Sequence, residues 1–497
     1  MIPRLQPRIL VAALLAVAAS SCGPGSGCGK KKRKARRKKR IERAERIAEK
    51  KRAAEEAPVL PTQAPSRPTS AQAVSADAPN ILLISIDTLR ADALPPYGSR
   101  RQTAPTMKTM ASQGVVFQRS WSQAPSTSPT HASMFTSVYP SEHGVMGTVG
   151  RLPKHWTTLA EHLQAHGMRT WASTSSVRFA HGVQLDQGFD SYSVFSKGTQ
   201  TEKTNKALEV ALYDIAEEPD RPWFGFVHLM DVHAPYSVPE PHQSSFMDGR
   251  TPTVDPETTV KFLHKNRQNV HGVTDQQLED LKAMYDGGVS FVDTRIAAIW
   301  DAVRELERPT LIVITADHGE AFFEKDYLGH GVFLYEPIVR VPMIFWGPGL
   351  VPDNEHRSTL ISSVDLFPTL TAFTGLPVPD NLRGDDLSGV VKGDGELAGR
   401  SVMLQSAQFR ALVHDREDGL YKIEVRNRGR RTRVYALHAD PTERKDLAES
   451  RADLVVALKE EMARRRPGKK AVQNESWEMS DEEKQALEAI GYMDADH

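Results

Sequence analysis

Two continuous apolar runs, each closing on an aspartate, constrain this chain more than any other feature. Asn80-Ile-Leu-Leu-Ile-Ser-Ile-Asp87 and Pro309-Thr-Leu-Ile-Val-Ile-Thr-Ala-Asp317-His318-Gly319 show no apolar–polar alternation. Strands buried on both faces read this way, as in parallel sheets covered by helices. Such sheets hold ligands at the carboxyl ends of their strands. Taken singly, Asp87 and Asp317 read equally well as helix N-caps after a strand-to-helix turn. Together, and with His318 beside one of them, they form a site for one divalent cation. Mainly oxygen ligands favour calcium, magnesium or manganese over zinc. The further His and Asp ligands that a two-zinc site needs do not occur at recognisable spacings.

Between the two runs lies Ala124-Pro-Ser-Thr-Ser-Pro-Thr-His-Ala-Ser-Met-Phe-Thr136. Pro129 suits the first turn of a helix, where a missing N–H does no harm. That places Thr127 and Ser128 at a helix N-terminus, where free N–H groups and the dipole favour an anion. A hydroxyl there, with a cation at hand, is the arrangement of an activated nucleophile.

The ends of the chain read differently from its middle. The formal net charge is zero, but Lys30 to Arg52 holds fifteen Lys or Arg against three Glu. Residues 53–497 carry 46 basic and 60 acidic side chains, net −14. Ahead of the basic run, Arg4 and Arg8 precede eleven apolar residues, Ile9 to Ala19. This is the form of an export signal, too short to span a bilayer. Ala19-Ser-Ser-Cys22 resembles a bacterial lipobox, so residues 1–21 read as a lipoprotein-type signal peptide and Cys22 as the lipidated, membrane-anchoring residue. An ordinary signal peptide cleaved nearby is the alternative. The basic run reads as a partly helical stalk, touching anionic lipid head groups or acting only as a charged spacer. Export argues against nucleic acid. Ala57 to Pro79, with five prolines, reads as a linker. Cys22 and Cys28 are the only cysteines, which excludes a disulfide framework and a four-cysteine zinc site.

The motifs together resemble the sulfatase family, within the wider alkaline-phosphatase superfamily. The resemblance runs in order through NILLISIDTLRAD (80–92), TSPTHASMFTS (127–137), TTLAEHLQAHG (157–167), HLMDVHAPY (228–236), TADHG (315–319), SSVDLFPTLTAFTG (362–375) and VYALHADPTERKDLA (434–448). It implies an α/β sandwich over 80–392 with a mixed, largely parallel central sheet. A smaller α+β subdomain over 393–497 follows, with strands at Gln408–His414, Tyr421–Val425 and Arg433–Leu437. Asp481 to Tyr492 reads as a terminal amphipathic helix. The resemblance also implies metal ligation by Asp87, Asp317 and His318, and a nucleophile at Thr127. It further implies a histidine, His233, at the transferred group or leaving oxygen.

The departures carry as much chemistry. The family cysteine that becomes formylglycine is Thr127 here, and no cysteine follows Cys28. The family arginine four residues on is His131, assigned by position to contact the anion. Thr88 replaces the second Asp of the usual pair. The Gly-Lys-Trp-His block has no counterpart near Ala172 to Arg178. A threonine must form a covalent ester that water later cleaves, a route better suited to phosphoryl groups. Phosphoryl-transferring superfamily relatives use a threonine nucleophile, and Gly329-His330-Gly331 resembles a histidine-bearing stretch of theirs. His330 then serves as an acid for the leaving oxygen, or else is a loop histidine satisfied locally. His228, inside an apolar strand, reads as core. Asp231 reads as a brace for His233, and Arg340 as facing either the anion or a carboxylate.

Three readings of function follow. The first is a metal-dependent hydrolase of sulfate or phosphate esters, acting on a small molecule, glycan or lipid from the periplasmic side of a bacterial envelope. The second is a phosphotransferase acting on lipid or cell-wall polymers. The third is a degenerate member that binds an anionic glycan without turnover. The sequence leaves the oligomeric state open.

Overall fold

A computed structural model describes residues 72–147, 150–217, 221–426, 431–465 and 479–489. The signal, Cys22, the basic stalk and most of the linker lie outside the described residues. Among the described residues, no helix is long and apolar enough to cross a membrane.

The first apolar run forms β1 (Asn80–Ile86), the centre of an eight-stranded sheet. The others are β2 (Gly114–Phe117), β3 (Arg169–Thr174), β4 (Ser191–Val194), β5 (Trp223–Leu229), β6 (Thr310–Thr315), β7 (Met343–Trp346) and β8 (Glu355–Arg357). Their order is β8-β2-β7-β6-β1-β5-β3-β4. β1 pairs in parallel with β5 on one side and β6 on the other, and only β7 runs against the rest. The fold is therefore a mixed, largely parallel α/β sandwich, as the two runs require.

Alternate residues of β1 enter different cores, which explains its unbroken hydrophobicity. Leu82, Ile84 and Ile86 join a cluster with Met107 and Met110 of α1 (Pro105–Ser112) and Ala211 and Ile215 farther along. Ile81 and Leu83 join another on the opposite face, with Met134 and Phe135 of α2 (Thr127–Thr136) and Leu159 and Leu163 of α3 (Leu159–Ala165). Behind the first face lie α4 (Gln200–Ala216), α5 (Thr259–Asn266) and the thirty-residue α6 (Asp275–Arg304). Behind the second lies α7 (Leu366–Phe373).

The C-terminal part is an antiparallel meander, β9 (Ser401–Gln405), β10 (Phe409–Arg416), β11 (Gly419–Arg426) and β12 (Thr432–Ala436). Period-two burial divides it. Val402, Leu404, Ala411 and Val413 pack with Trp121 and Ile338, whereas Met403, Leu412 and Ile423 face Leu454, Leu458 and Met462 of α8 (Ala452–Arg464). The described residues belong to one compact unit. The terminal helix α9 spans Asp481–Ala489, and its expected last residues, 490–492, lie outside the description.

The linker reading needs one correction. Val74 donates its N–H to His166 O at 2.8 Å and packs on the second core, and Ala78 is buried. The folded body thus begins several residues before Asn80. Proline-rich composition hid a short segment with a turn at residues 76–77 that docks through Val74 and Ala78.

Candidate active site

β1 and β6 lie side by side in parallel, so Asp87 and the Asp317-His318 pair emerge at the same sheet edge. All three are fully buried. One ligand atom from each lies within 4.8 Å of the others. His318 Nε2 stands 3.6 Å from Asp87 Oδ1 and 3.5 Å from Asp317 Oδ2. Among the described residues these three atoms have no hydrogen-bond partner. Burial, reinforced by the Asp317 charge, pushes the Asp87 carboxyl well above its ordinary range. Burial likewise pushes Asp317 up to about 7. Two acids and an imidazole converging with orphaned atoms, in so dry a place, fit a divalent cation.

The backbone is shaped for this. Thr88, directly after Asp87, sits at φ 59°, a left-handed conformation that costs a threonine strain and occurs where function demands it. Tyr285 holds that turn by donating its hydroxyl to Thr88 O at 2.7 Å. Gly319 is required by crowding: a Cβ there would stand 2.3 Å from Pro337 O.

α2 begins at Thr127, with Ser126 as its N-cap. The Thr127 hydroxyl donates to Asp87 Oδ2 at 3.4 Å and also bonds Asp317. The nucleophile candidate therefore touches both acids of the cluster. His131, one helical turn on, does not reach forward. Its Nδ1 donates to Thr127 O at 2.8 Å, and its Nε2 lies 2.9 Å from Ser85 Oγ. The ring packs edge-on against Phe179 and Phe226, and burial drives its pKa down to about 3. His131 is a neutral strut behind Thr127, which corrects the expectation that it contacts an anion.

A cavity of about 190 Å³ opens in front of this cluster, lined by Ser126, Arg178, His233, Glu320 and His330 among others. Burial holds His233 down to about 3 and His330 well below its ordinary value. His330 is locked by Nδ1–H donating to Glu320 Oε1 at 2.8 Å, and Glu320 also accepts from the Tyr236 hydroxyl at 3.1 Å. The neutral ring therefore carries its lone pair on Nε2. His233 donates from Nδ1 to Ala234 O.

Other assignments shift. Asp231 does not brace His233; its carboxylate accepts from Thr201 at 3.1 Å, with a pKa pushed up to about 6 by burial. Arg340 does not line the cavity; it donates to Gln118 O at 3.0 Å, and its charge helps hold down the Asp92 carboxyl. His228 is core, as read, yet its Nε2 comes within 3.7 Å of Asp87 Oδ2. With His131 and Asp317 it forms a second group of potential ligands.

Arg178 went unread. It follows β3 in a 3₁₀ turn whose N-cap, Ser176, accepts its backbone N–H at 3.3 Å. Only 1% exposed, it is the one arginine among the largest fully buried side chains, and its charge reaches Asp87. A lone basic residue just past a buried strand was the signal available.

Fold and cluster define a class first: an alkaline-phosphatase-like α/β sandwich with a strand-end acid cluster. Solved structures similar to it carry that fold. A phosphonate monoester hydrolase of Agrobacterium radiobacter superposes with TM-score 0.64 at 22% identity, over 78% of this chain and 95% of its own. The sulfatase family model matches residues 79–376, and the C-terminal model of N-sulphoglucosamine sulphohydrolase matches 321–467. The chain belongs to the sulfatase family. Bovine arylsulfatase K is 23% identical over 63% of this chain, and that match spans 65% of arylsulfatase K itself. A Δ4,5-hexuronate-2-O-sulfatase of Bacteroides thetaiotaomicron is 21% identical over 76% of this chain and 86% of its own length.

Proposed function

We propose that the chain hydrolyses sulfate or phosphate esters by two displacements through a covalent ester on Thr127. The supporting observation is the Thr127 hydroxyl bonded to both buried acids at a helix N-terminus. Asp87, Asp317 and His318 would hold one divalent cation, which when bound supplies Lewis-acid charge at the reacting group. Arg178 is the buried cation facing the same cavity, and it supplies positive charge where the family's lysine is missing.

In the first displacement, the bond from Thr127 Oγ to phosphorus or sulfur forms and the bond to the leaving oxygen breaks. The proton that Thr127 loses is the one the leaving oxygen gains. In the second, water attacks the Thr127 ester, one water proton returns to Oγ, and inorganic phosphate or sulfate departs. His330, lining the cavity with its ring oriented by Glu320, would assist proton transfer at the leaving oxygen. A cysteine-derived aldehyde hydrate is excluded by composition. Phosphoryl esters are the preferred substrates, since a threonine ester of phosphate is the more readily cleaved intermediate.

The test is covalent trapping: rapid quench with an aryl phosphate or aryl sulfate, then peptide mapping. An adduct on Thr127 supports the reading. Full turnover in Thr127→Ala overturns it. We also propose export and lipid anchoring at Cys22, placing the site outside the cytoplasm; unchanged fractionation of Cys22→Ala with membranes would refute this.

A further inference from the structure

The cavity has a second cationic wall that the chemistry above does not use. Val260, Leu263, His264 and Arg267 follow at spacings of three, one and three residues, so α5 and its C-cap present all four on one face, and all four line the cavity. Val260 and Leu263 are nearly fully buried, giving an apolar floor, and Val332 and Ala234 extend it. Arg267 stands at its end.

Arg267 is placed with care, and its charge acts on the Glu320 carboxyl, but among the described residues it forms no ion pair. Its carbonyl accepts from Leu328 N at 2.9 Å, tying the end of α5 to the loop that carries His330. Its Nη2 lies 3.1 Å from His264 Nε2. A guanidinium only donates, so His264 accepts there as a neutral ring. Among the described residues, no carboxylate forms an ion pair with Arg267, and its Nε is buried without a hydrogen-bond acceptor. The acid in this cavity, Glu320, is committed to Tyr236 and His330. A guanidinium outside any ion pair, lining a cavity beyond an apolar floor, matches a bidentate anion.

We infer that Arg267 is a specificity residue for a second anionic group on the leaving side of the substrate, separated from the transferred group by a ring-sized apolar body. The substrate class is thus a doubly anionic ester: transferred sulfate or phosphate at the Thr127 end, and a carboxylate or second sulfate or phosphate at Arg267. This rests on the hydrolase reading for the direction of the substrate, but the subsite itself can be read by binding alone.

The experiment titrates the intact protein calorimetrically with three stable C–P ligands: benzylphosphonate, 4-carboxybenzylphosphonate and 4-sulfobenzylphosphonate. Wild-type protein should bind one or both doubly charged ligands at least tenfold tighter than benzylphosphonate, and their ranking identifies the second anion. Arg267→Met should reduce that preference to twofold or less, and Arg267→Lys should keep part of it. No preference in wild type, or a preference kept in Arg267→Met, overturns the inference. Aryl ester turnover is measured alongside. Ligand discrimination without turnover would sustain the subsite and sink the hydrolase reading; turnover without discrimination would do the reverse.

Discussion

Asp317→Asn should stabilise the cation-free protein while destroying its response to a cation. Burial raises Asp317 from an ordinary 3.8 to about 7. Between those values the native protein binds a proton that the unfolded chain has released, so stability falls as pH rises from about 4 to about 7. Three pKa units correspond to about 4 kcal/mol, fully expressed above pH 7. Asparagine never ionises, and its Oδ1 can still accept the His318 N–H, now at 2.9 Å. Its amide left without an acceptor costs about 1–3 kcal/mol. The net gain is therefore about 1–3 kcal/mol at pH 8 with chelator present, shrinking toward zero or below at pH 4. Excess Mn²⁺ at a hundred times its Kd should stabilise wild type by about 2.7 kcal/mol and leave the variant unmoved. Urea unfolding at both pH values, with and without Mn²⁺, reads all four quantities. A chelated variant less stable than wild type at pH 8, or one that gains equally from Mn²⁺, would refute the claim that two unneutralised acids are held together for a cation.

Other perturbations separate the parts. Thr127→Ala should lower kcat by about 10⁴-fold or more, because the attacking atom is gone, as measured by steady-state ester hydrolysis. Arg178→Ala should lower kcat/KM by about 10²–10³-fold and Arg178→Lys by less, since loss of a preorganised charge costs about 3–4 kcal/mol; equal losses in both would deny it an electrostatic role. His143, buried beside Ser133, has its pKa pushed down to about 3 by burial. The stability it confers is present above pH 6.5 and lost as pH falls toward 3, about 5 kcal/mol in all, and His143→Phe should flatten that limb of a pH series of urea midpoints. Lys422, fully buried, pairs with Glu443 at 2.8 Å and Glu336 at 3.0 Å, joining β11 to the body. Lys422→Met leaves Glu336 without a cation and Glu443 with Lys325 at 3.4 Å, and should cost about 3–5 kcal/mol, visible as a lower midpoint with an unchanged slope.

The sheet's core was legible and its margins were not, for one physical reason. β1 and β6 are flanked on both sides and covered on both faces, so their burial is written into every residue. β7 carries an equally apolar Met343–Trp346, but its reversed direction follows from how the chain returns, and no local pattern records that. β8, with exposed His356 at the sheet edge, has too few buried positions to leave a pattern. In the C-terminal meander, Tyr421–Val425 alternates apolar and charged residues along the strand. Ser401–Gln405 does not, because both of its faces are covered and all five residues are buried.

The site divides along a similar line. Asp87, Asp317 and His318 could be read because parallel neighbours deliver their ends to one place whatever the loops do. Thr127 could be read because Pro129 marks the first turn of a helix. His131 misled because matching it to a longer arginine assumed equal reach. An imidazole one turn below Thr127 meets first the carbonyl of residue i−4, and it satisfies Nδ1 there before any anion is in range. Arg178 was missed for the converse reason. The family's lysine block has no counterpart at its usual spacing, whereas the physical requirement is only a buried cation at the end of a strand beside the acids. β3 ends at Thr174, and the chain needs one capped turn to bring a guanidinium to that edge. Position at the sheet's carboxyl edge, not the identity of a motif, decides which side chains face the reacting group.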